Sequence, residues 1–455
     1  MAMQFEPTRE YIDELTAIID AEDKKTASQL MDELHAADIA DLYDELSIEQ
    51  AKFLFLQISD GEKAADVIAE LDDDDRERFL KVIPSDIIAN RFIHFMDSDD
   101  AADVMADISS EKRAEVLEYV EDINQAGDIV DLMAYDAESA GGLMGKEYIS
   151  VNWNFGIEQA IDEIRHKAED VDEVYYVYVV DDDNVLRGAL SLKQLILAPQ
   201  GNKVKDIFEA GVVSVPADMH AAEVSNIADK YDLVALPVVD FKDRLVGRIT
   251  IDDIVDFMRD EAEKDYQMVS GISDDIEPTD SVLKITKARL PWLLVGLTGG
   301  IMGALVIGAY EVELQQHAAM AFFIPLIAAM GGNVGVQSSS IVVQALANNT
   351  LSSDSIFRKV IKELSVALIN GLVLSLIIFL YNYIFTDSQA LTYTVSSALF
   401  LIILFASVFG TLVPLVLDKY KIDPALATGP FITTANDIVG LLIYLAIGAA
   451  LFTLM

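Results

Sequence analysis

At 455 residues the chain is long enough for about three domains, each with a core of its own. Its 32 Lys and Arg against 76 Asp and Glu leave a net charge of -44, an acidity that repels a phosphate backbone and sets nucleic acid aside as a partner. There is no cysteine, which excludes disulfides, thiolate metal sites and cysteine catalysis. The charge is also uneven. From Leu290 onward there are 5 basic and 8 acidic residues, leaving 27 and 68 for residues 1–289, a net of -41. The opening segment, MAMQFEPTREYIDEL, carries neither the basic nor the apolar stretch of a secretory signal, so the acidic part is expected in the cytoplasm.

Up to about Ala134 the pattern is helical: Leu30, Leu34, Ile39, Leu42 and Leu46 recur at helical spacing with carboxylates between them. A related phrase returns as Ala64-Ala65-Asp66-Val67 and Ala101-Ala102-Asp103-Val104, at irregular spacing, which predicts a short helical superstructure rather than a strict solenoid. The acidic runs Asp72 to Asp75 and Asp97 to Asp100 read equally as solvated helix N-termini and as divalent-cation sites.

After Gly141-Gly142 an internal repeat begins. Val179-Val180-Asp181 with Leu186, Gly188, Leu190 and Ser191 matches Val238-Val239-Asp240 with Leu245, Gly247, Ile249 and Thr250, every pair offset by 59 residues. Each unit predicts a strand, a polar turn (DDDN, then FKDR), a second strand and a helix. This resembles a tandem pair of cystathionine-β-synthase (CBS) domains. In that family a Ser or Thr followed three residues later by an Asp holds the ribose of an adenine nucleotide. The second unit has the pattern as Thr250 and Asp253; the first has Ser191 but Gln194, so ATP is expected at the second. Read structurally, the same hydroxyls merely cap the helices that follow.

The helix after Thr250 places Asp252, Asp256, Asp260 and Glu263 on one face, beside Asp253 and Glu261. Like charges stacked at this spacing oppose one another and call for neutralisation, for which Arg259 and Lys264 are the nearby bases. Breaks at Gly271 and Pro278 precede a short basic helix, Leu283 to Leu290, that leads into a membrane part.

Uncharged runs at Pro291–Tyr310, Ala318–Ser353, Leu364–Thr386 and Ser388–Leu417, with Pro424–Met455 broken only by Asp437, predict five membrane-spanning helices. Lys284, Lys287, Arg289, Arg358, Lys359, Lys362, Lys419 and Lys421 all fall on one side of them, which predicts a cytoplasmic acidic part and an external C-terminus. Two motifs lie within the helices: IPLIAAMGGNVGVQSSS, with Pro325, Asn333 and Gln337, and DPALATGPFITTANDIVGLL, with Asp423, Gly429, Pro430, Thr433, Thr434, Asn436 and Asp437. Glycines here also serve close helix packing. Asp437 does not: a carboxylate at membrane depth costs at least about 2.5 kcal/mol and no Lys or Arg in these helices can pair with it, so a cation is its expected partner. One such Asp per subunit, doubled by two-fold symmetry and joined by backbone carbonyls released at Gly429-Pro430, suits a hydrated Mg²⁺. No His or Cys is offered to a softer metal, and His317 reads as a surface residue.

These segments, in this order and over essentially the whole chain, closely resemble the MgtE family of magnesium channels. The resemblance implies a homodimer in the cell membrane with its pore on the two-fold axis, Asp437 as the central pore carboxylate, Asp423 at the cytoplasmic end of the fifth helix and Asn333 in the second. It also implies closure by abundant cytoplasmic Mg²⁺ through the N-domain, the CBS pair and a plug helix. The expected architecture is therefore a multidomain membrane protein: an all-α acidic N-domain (1–135), an α/β tandem CBS pair (136–262), a connecting plug region (263–290) and a five-helix transmembrane domain (291–455). Mg²⁺ is the expected cargo and regulator, with Asp437, Asp423, Thr433, Gly429 and Asn333 in the pore and Asp252, Asp253, Asp256, Asp260 and Glu263 as regulatory ligands. A coupled secondary transporter of Mn²⁺ or Co²⁺ is the alternative; a membrane-tethered nucleotide sensor leaves Asp437 unexplained.

Overall fold

The computed structural model describes residues 7–168, 171, 174–199, 201–273, 276, 280–347, 355–427 and 429–454. Pro278, expected as a chain break, and the end of the second uncharged run (348–353) lie outside these residues. The chain forms two compact units, 1–258 and 259–455.

The first unit opens with short helices from Arg9 to Leu132 around one apolar core. Phe79 is its centre, with its ring centroid 5.2 Å from that of Phe55 and 6.4 Å from that of Phe92. Both recurring phrases lie on helices, Gly61–Ala69 and Ser98–Asp107, and bury their alanines and valine. The repeat that follows builds two small sheets, β1 (Ile149–Asn152), β2 (Val177–Val180), β3 (Leu186–Leu190) and β4 (Glu209–Ala210), then β5 (Val215–Pro216), β6 (Ala235–Val239) and β7 (Leu245–Thr250). The 59-residue offset is reproduced in the strand register: Val179 pairs with Gly188 in β2–β3, and Val238 pairs with Gly247 in β6–β7. It recurs in the turns, where Asn184 and Asp243 take the left-handed conformation at φ of 61° and 60°, one that Asn and Asp tolerate better than most residues. A shared apolar cluster joins Ala102 and Leu132 of the helical part to Val224, Leu236 and Ile249 of the second sheet unit. The helix Ser98–Asp107 is thereby docked against the CBS pair.

The connecting helix runs Ile251–Val269, with Ile254 buried and Asp252, Asp256, Asp260 and Glu263 exposed along it. The second unit holds five long apolar helices: Val282–Ala309, Ile324–Ala347, Ser355–Phe385, Gln389–Lys419 and Gly429–Leu454. Two boundaries differ from expectation. The basic segment 283–290 is continuous with the first membrane helix, because Pro291 sits inside that helix without ending it, as prolines in membrane helices often do. The third helix likewise starts early enough to include Arg358, Lys359, Lys362 and Glu363. The fourth helix packs on the second, third and fifth, and the first packs on the fifth. Close approach is enforced by small residues: a Cβ on Gly410 would lie 2.4 Å from the carbonyl oxygen of Gly335, a helix contact only glycine allows. His317, expected on the surface, stacks its ring on Phe452 with centroids 3.9 Å apart.

Candidate functional site

The second and fifth membrane helices together form a cavity of about 310 Å³ into which Asn333, Gln337, Thr433 and Asp437 bring polar groups among Ala328, Ala329, Gly332 and Val336. Asp437 is one turn beyond Thr433 on the same face of the fifth helix, and glycine at 332 opens the opposing wall. A Cβ there would approach Thr433 Cγ2 to 3.0 Å and Asp437 Oδ1 to 3.7 Å. Among the described residues the Asp437 carboxylate has neither an ion pair nor a hydrogen bond in the fold. Six waters at about 30 Å³ each take roughly 180 Å³, so the space accommodates a fully hydrated divalent ion. Gln337, quoted in the second-helix motif but not picked out as a site residue, joins the set because it follows Asn333 by one helical turn.

Gly429 and Asp423 stand apart from this cavity. The Gly429 carbonyl accepts the Thr433 hydroxyl at 3.1 Å, and a Cβ on Gly429 would meet the Val269 carbonyl oxygen at 2.4 Å. Glycine there admits the C-terminal end of the connecting helix against the start of the fifth membrane helix. On that side Asp265 has its pKa raised to about 6 by desolvation and then by the nearby charge of Asp423. Asp423 and Asp265 thus make a second acidic locus, distinct from Asp437.

The two acidic runs of the helical part separate into different roles. Asp73 and Asp75 pair with Arg76 and Arg78 at 2.6 and 2.8 Å, so the run Asp72 to Asp75 is partly neutralised at the helix start. Asp97 and Asp99 instead meet Glu147, with one ligand oxygen from each within 4.8 Å of the others. Glu147 is held by the Ser98 backbone N–H and hydroxyl at 3.0 and 2.9 Å. Asp253, from the end of the second CBS unit, faces the same group. Desolvation and the charges of Asp253, Asp100, Glu147 and Asp97 hold the Asp99 carboxyl well above the usual range. Desolvation and Asp253 bring Asp100 to about 7, and desolvation, opposed by Thr250 hydrogen bonds and Arg248, leaves Asp253 at about 6. A second such contact is Glu70, raised by burial and by Asp256.

These shifts carry a pH dependence. Carboxyls whose pKa is raised by assembly favour the assembled state when protonated, so assembly is strongest near pH 4 and weakens as pH rises through 6 to 7. In EDTA, proteolytic protection of the helical part on the CBS pair should fall between pH 5 and 7.5, and millimolar Mg²⁺ should restore it at pH 7.5. Protection that is flat with pH in EDTA would place the docking energy elsewhere.

At the CBS pair, Thr250 donates from its hydroxyl and backbone N–H to Asp253 at 2.6 and 2.9 Å. Ser191 and Gln194 form the equivalent capping box in the first unit. Both hydroxyls therefore do the structural job. The open space lies beside the first: a cavity of about 690 Å³ lined by Tyr176, Ser191, Lys193, Gln194, Gly211 and Leu233, among others.

Five apolar helices, two of which enclose a carboxylate without an ion pair among the described residues, carried with a CBS-type pair and an acidic helical domain, fit a membrane protein for divalent-cation transport. Residues 324–447 match the MgtE divalent cation transporter family, 34–138 the MgtE intracellular N domain and 204–260 the CBS domain. The chain is 32% identical to the magnesium transporter MgtE of Thermus thermophilus over 94% of its own length and 96% of that protein's. To the magnesium transporter MgtE of Bacillus subtilis it is 35% identical over 70% and 71% of the two chains. Residues covering 54% of the chain superpose, at a TM-score of 0.51 and 30% identity, on 99% of the crystallised cytosolic domain of the Mg²⁺ channel MgtE in complex with ATP. The chain belongs to the MgtE family of magnesium transporters.

Proposed function

We propose that this protein is a Mg²⁺ channel of two identical subunits, which imports Mg²⁺ and is closed by Mg²⁺ on the cytoplasmic side. The observation that carries the reading is Asp437, without an ion pair or hydrogen bond among the described residues, in a cavity sized for a hydrated ion. One carboxylate and a few neutral oxygens are a sparse site for an ion that takes six oxygens, and a two-fold axis beside Asp437 doubles each of them. Asn333, Gln337 and Thr433 hold the waters, and the hard oxygen set suits Mg²⁺ over softer ions. The positive-inside bias supports a cytoplasmic first unit and an external C-terminus.

Closure follows from like charges held close. Within the first unit, Asp97, Asp99, Glu147 and Asp253 draw together when a divalent ion sits among them. Within the second, Asp265 and Asp423 do the same where the connecting helix meets the pore helix. The stripe Asp252, Asp256, Asp260 and Glu263 adds exposed carboxylates along that helix. Mg²⁺ uptake into liposomes containing the full chain, blocked by millimolar Mg²⁺ on the cytoplasmic face, tests the reading; uptake coupled to a counter-ion would favour a secondary carrier.

For ATP, the cavity beside Ser191 supports binding between the sheet units with Lys193 toward the phosphates, rather than at Thr250 and Asp253. Calorimetry should show ATP binding that is lost in Leu233→Trp, which fills the cavity, and kept in Asp253→Asn. The opposite pattern would return the nucleotide to the second unit.

A further inference from the structure

A second membrane cavity, of about 290 Å³, opens between the second, third and fourth membrane helices. Glu363 lies in it, one turn along the third helix from Lys359 and next to Lys362. Buried Ser338 donates to Glu363 Oε1 at 2.7 Å, and buried Ser407 donates to the same oxygen at 3.4 Å. Oε2 accepts no hydrogen bond among the described residues, and neither lysine comes within ion-pair distance of it. The rest of the wall is apolar, including Ile341, Val366 and Ile403. The third helix exposes Ile369, Leu372, Val373, Leu376 and Ile377 along its length, so the cavity opens onto a face made for lipid.

A carboxylate within a membrane helix that keeps one oxygen without a donor is costly unless a cation meets it. The ammonium groups of Lys362 beside it and Lys359 a turn away make no ion pair among the described residues and, at the end of a membrane-spanning helix, attract an anion. One small molecule abundant at this depth carries both complements. We propose that the cavity seats a phospholipid headgroup bearing a phosphate and a primary amine: the phosphate on Lys359 and Lys362, the amine on Glu363 Oε2, and an acyl chain along Ile341, Val366 and Ile403. The site rests only on the membrane span and not on the identity of the transported ion. Gln337 lines this cavity and the Asp437 cavity alike, so a seated headgroup would touch a side chain that the two cavities share.

Native mass spectrometry of the full chain in detergent tests this, with equimolar phosphatidylethanolamine, phosphatidylcholine and phosphatidylglycerol. Phosphatidylethanolamine should be retained about threefold or more over the other two, since one lacks an N–H donor and the other lacks the amine. Glu363→Gln still accepts both serine hydroxyls and should erase that preference, and Lys359→Ala with Lys362→Ala should lower retention of all three lipids. Ile341→Trp, which fills the cavity from its apolar wall, should release phosphatidylethanolamine at unchanged thermal stability. Equal retention of the three lipids by the native chain, a preference that survives Glu363→Gln, or retention unaffected by Ile341→Trp would each overturn the proposal.

Discussion

Asp437→Asn should reduce Mg²⁺ flux to the level of empty liposomes while the protein still folds and inserts. The substitution keeps the size of the side chain and removes one negative charge per subunit from a cavity whose other lining groups are neutral. A divalent ion about 5 Å from a carboxylate gains roughly 6 kcal/mol at an effective dielectric constant near 20. Each 1.4 kcal/mol is tenfold in occupancy, so even a quarter of that loss empties the site about tenfold per subunit. Folding should not suffer, because relieving a carboxylate of its burial in the membrane removes a cost. Normal conduction by the Asn variant would move the selectivity site away from the second and fifth helices.

Cytoplasmic Mg²⁺ in the millimolar range should close the channel steeply, and neutralising its carboxylate clusters should shift that response without touching conduction at low Mg²⁺. Two carboxylates 4 Å apart repel by roughly 4 kcal/mol at the same effective dielectric constant, and a bridging ion turns repulsion into attraction. Driving a two-state gate from mostly open to mostly closed takes about 5.5 kcal/mol, which a few such bridges would supply. Asp99→Asn with Asp253→Asn, or Asn and Gln in place of Asp252, Asp256, Asp260 and Glu263, should raise the half-inhibiting Mg²⁺ by about tenfold or more. Na⁺ at matched ionic strength should not imitate Mg²⁺, since screening alone builds no bridge. Inhibition unchanged in both variants would remove these groups from the sensor.

How far the residues announce all this depends on the range of the interactions. The five membrane helices are legible because about 20 apolar residues are enough to span a bilayer, whatever lies around them. Their ends are less so: Pro291 and Glu363 look like terminators by charge and ring chemistry, yet both lie within helices. The CBS repeat is legible because the same residues face the same strand partners in each unit. Of the residues expected in a pore, Asn333, Thr433 and Asp437 share a cavity because each follows from helical spacing on two adjoining helices. Gly429 is different: its tight contact is with Val269, on a helix some 160 residues earlier, and no local pattern carries that. The cluster of Asp97, Asp99 and Glu147, with Asp253 close enough to act on Asp99, comes from three separate segments, so the acidic run at 97–100 and the one at 72–75 look alike until Arg76 and Arg78 pair with Asp73 and Asp75 of the latter. The cavity beside Ser191 is likewise a property of the assembled pair, and it opens beside the unit whose motif is incomplete.

The most direct test of the central claim is to record currents from the full chain in a planar bilayer with Mg²⁺ as the only permeant cation. Unitary Mg²⁺ currents are expected, absent from Asp437→Asn and silenced by millimolar Mg²⁺ on the cytoplasmic side. Mg²⁺ uptake without any current, or currents of normal size through Asp437→Asn, would contradict that claim.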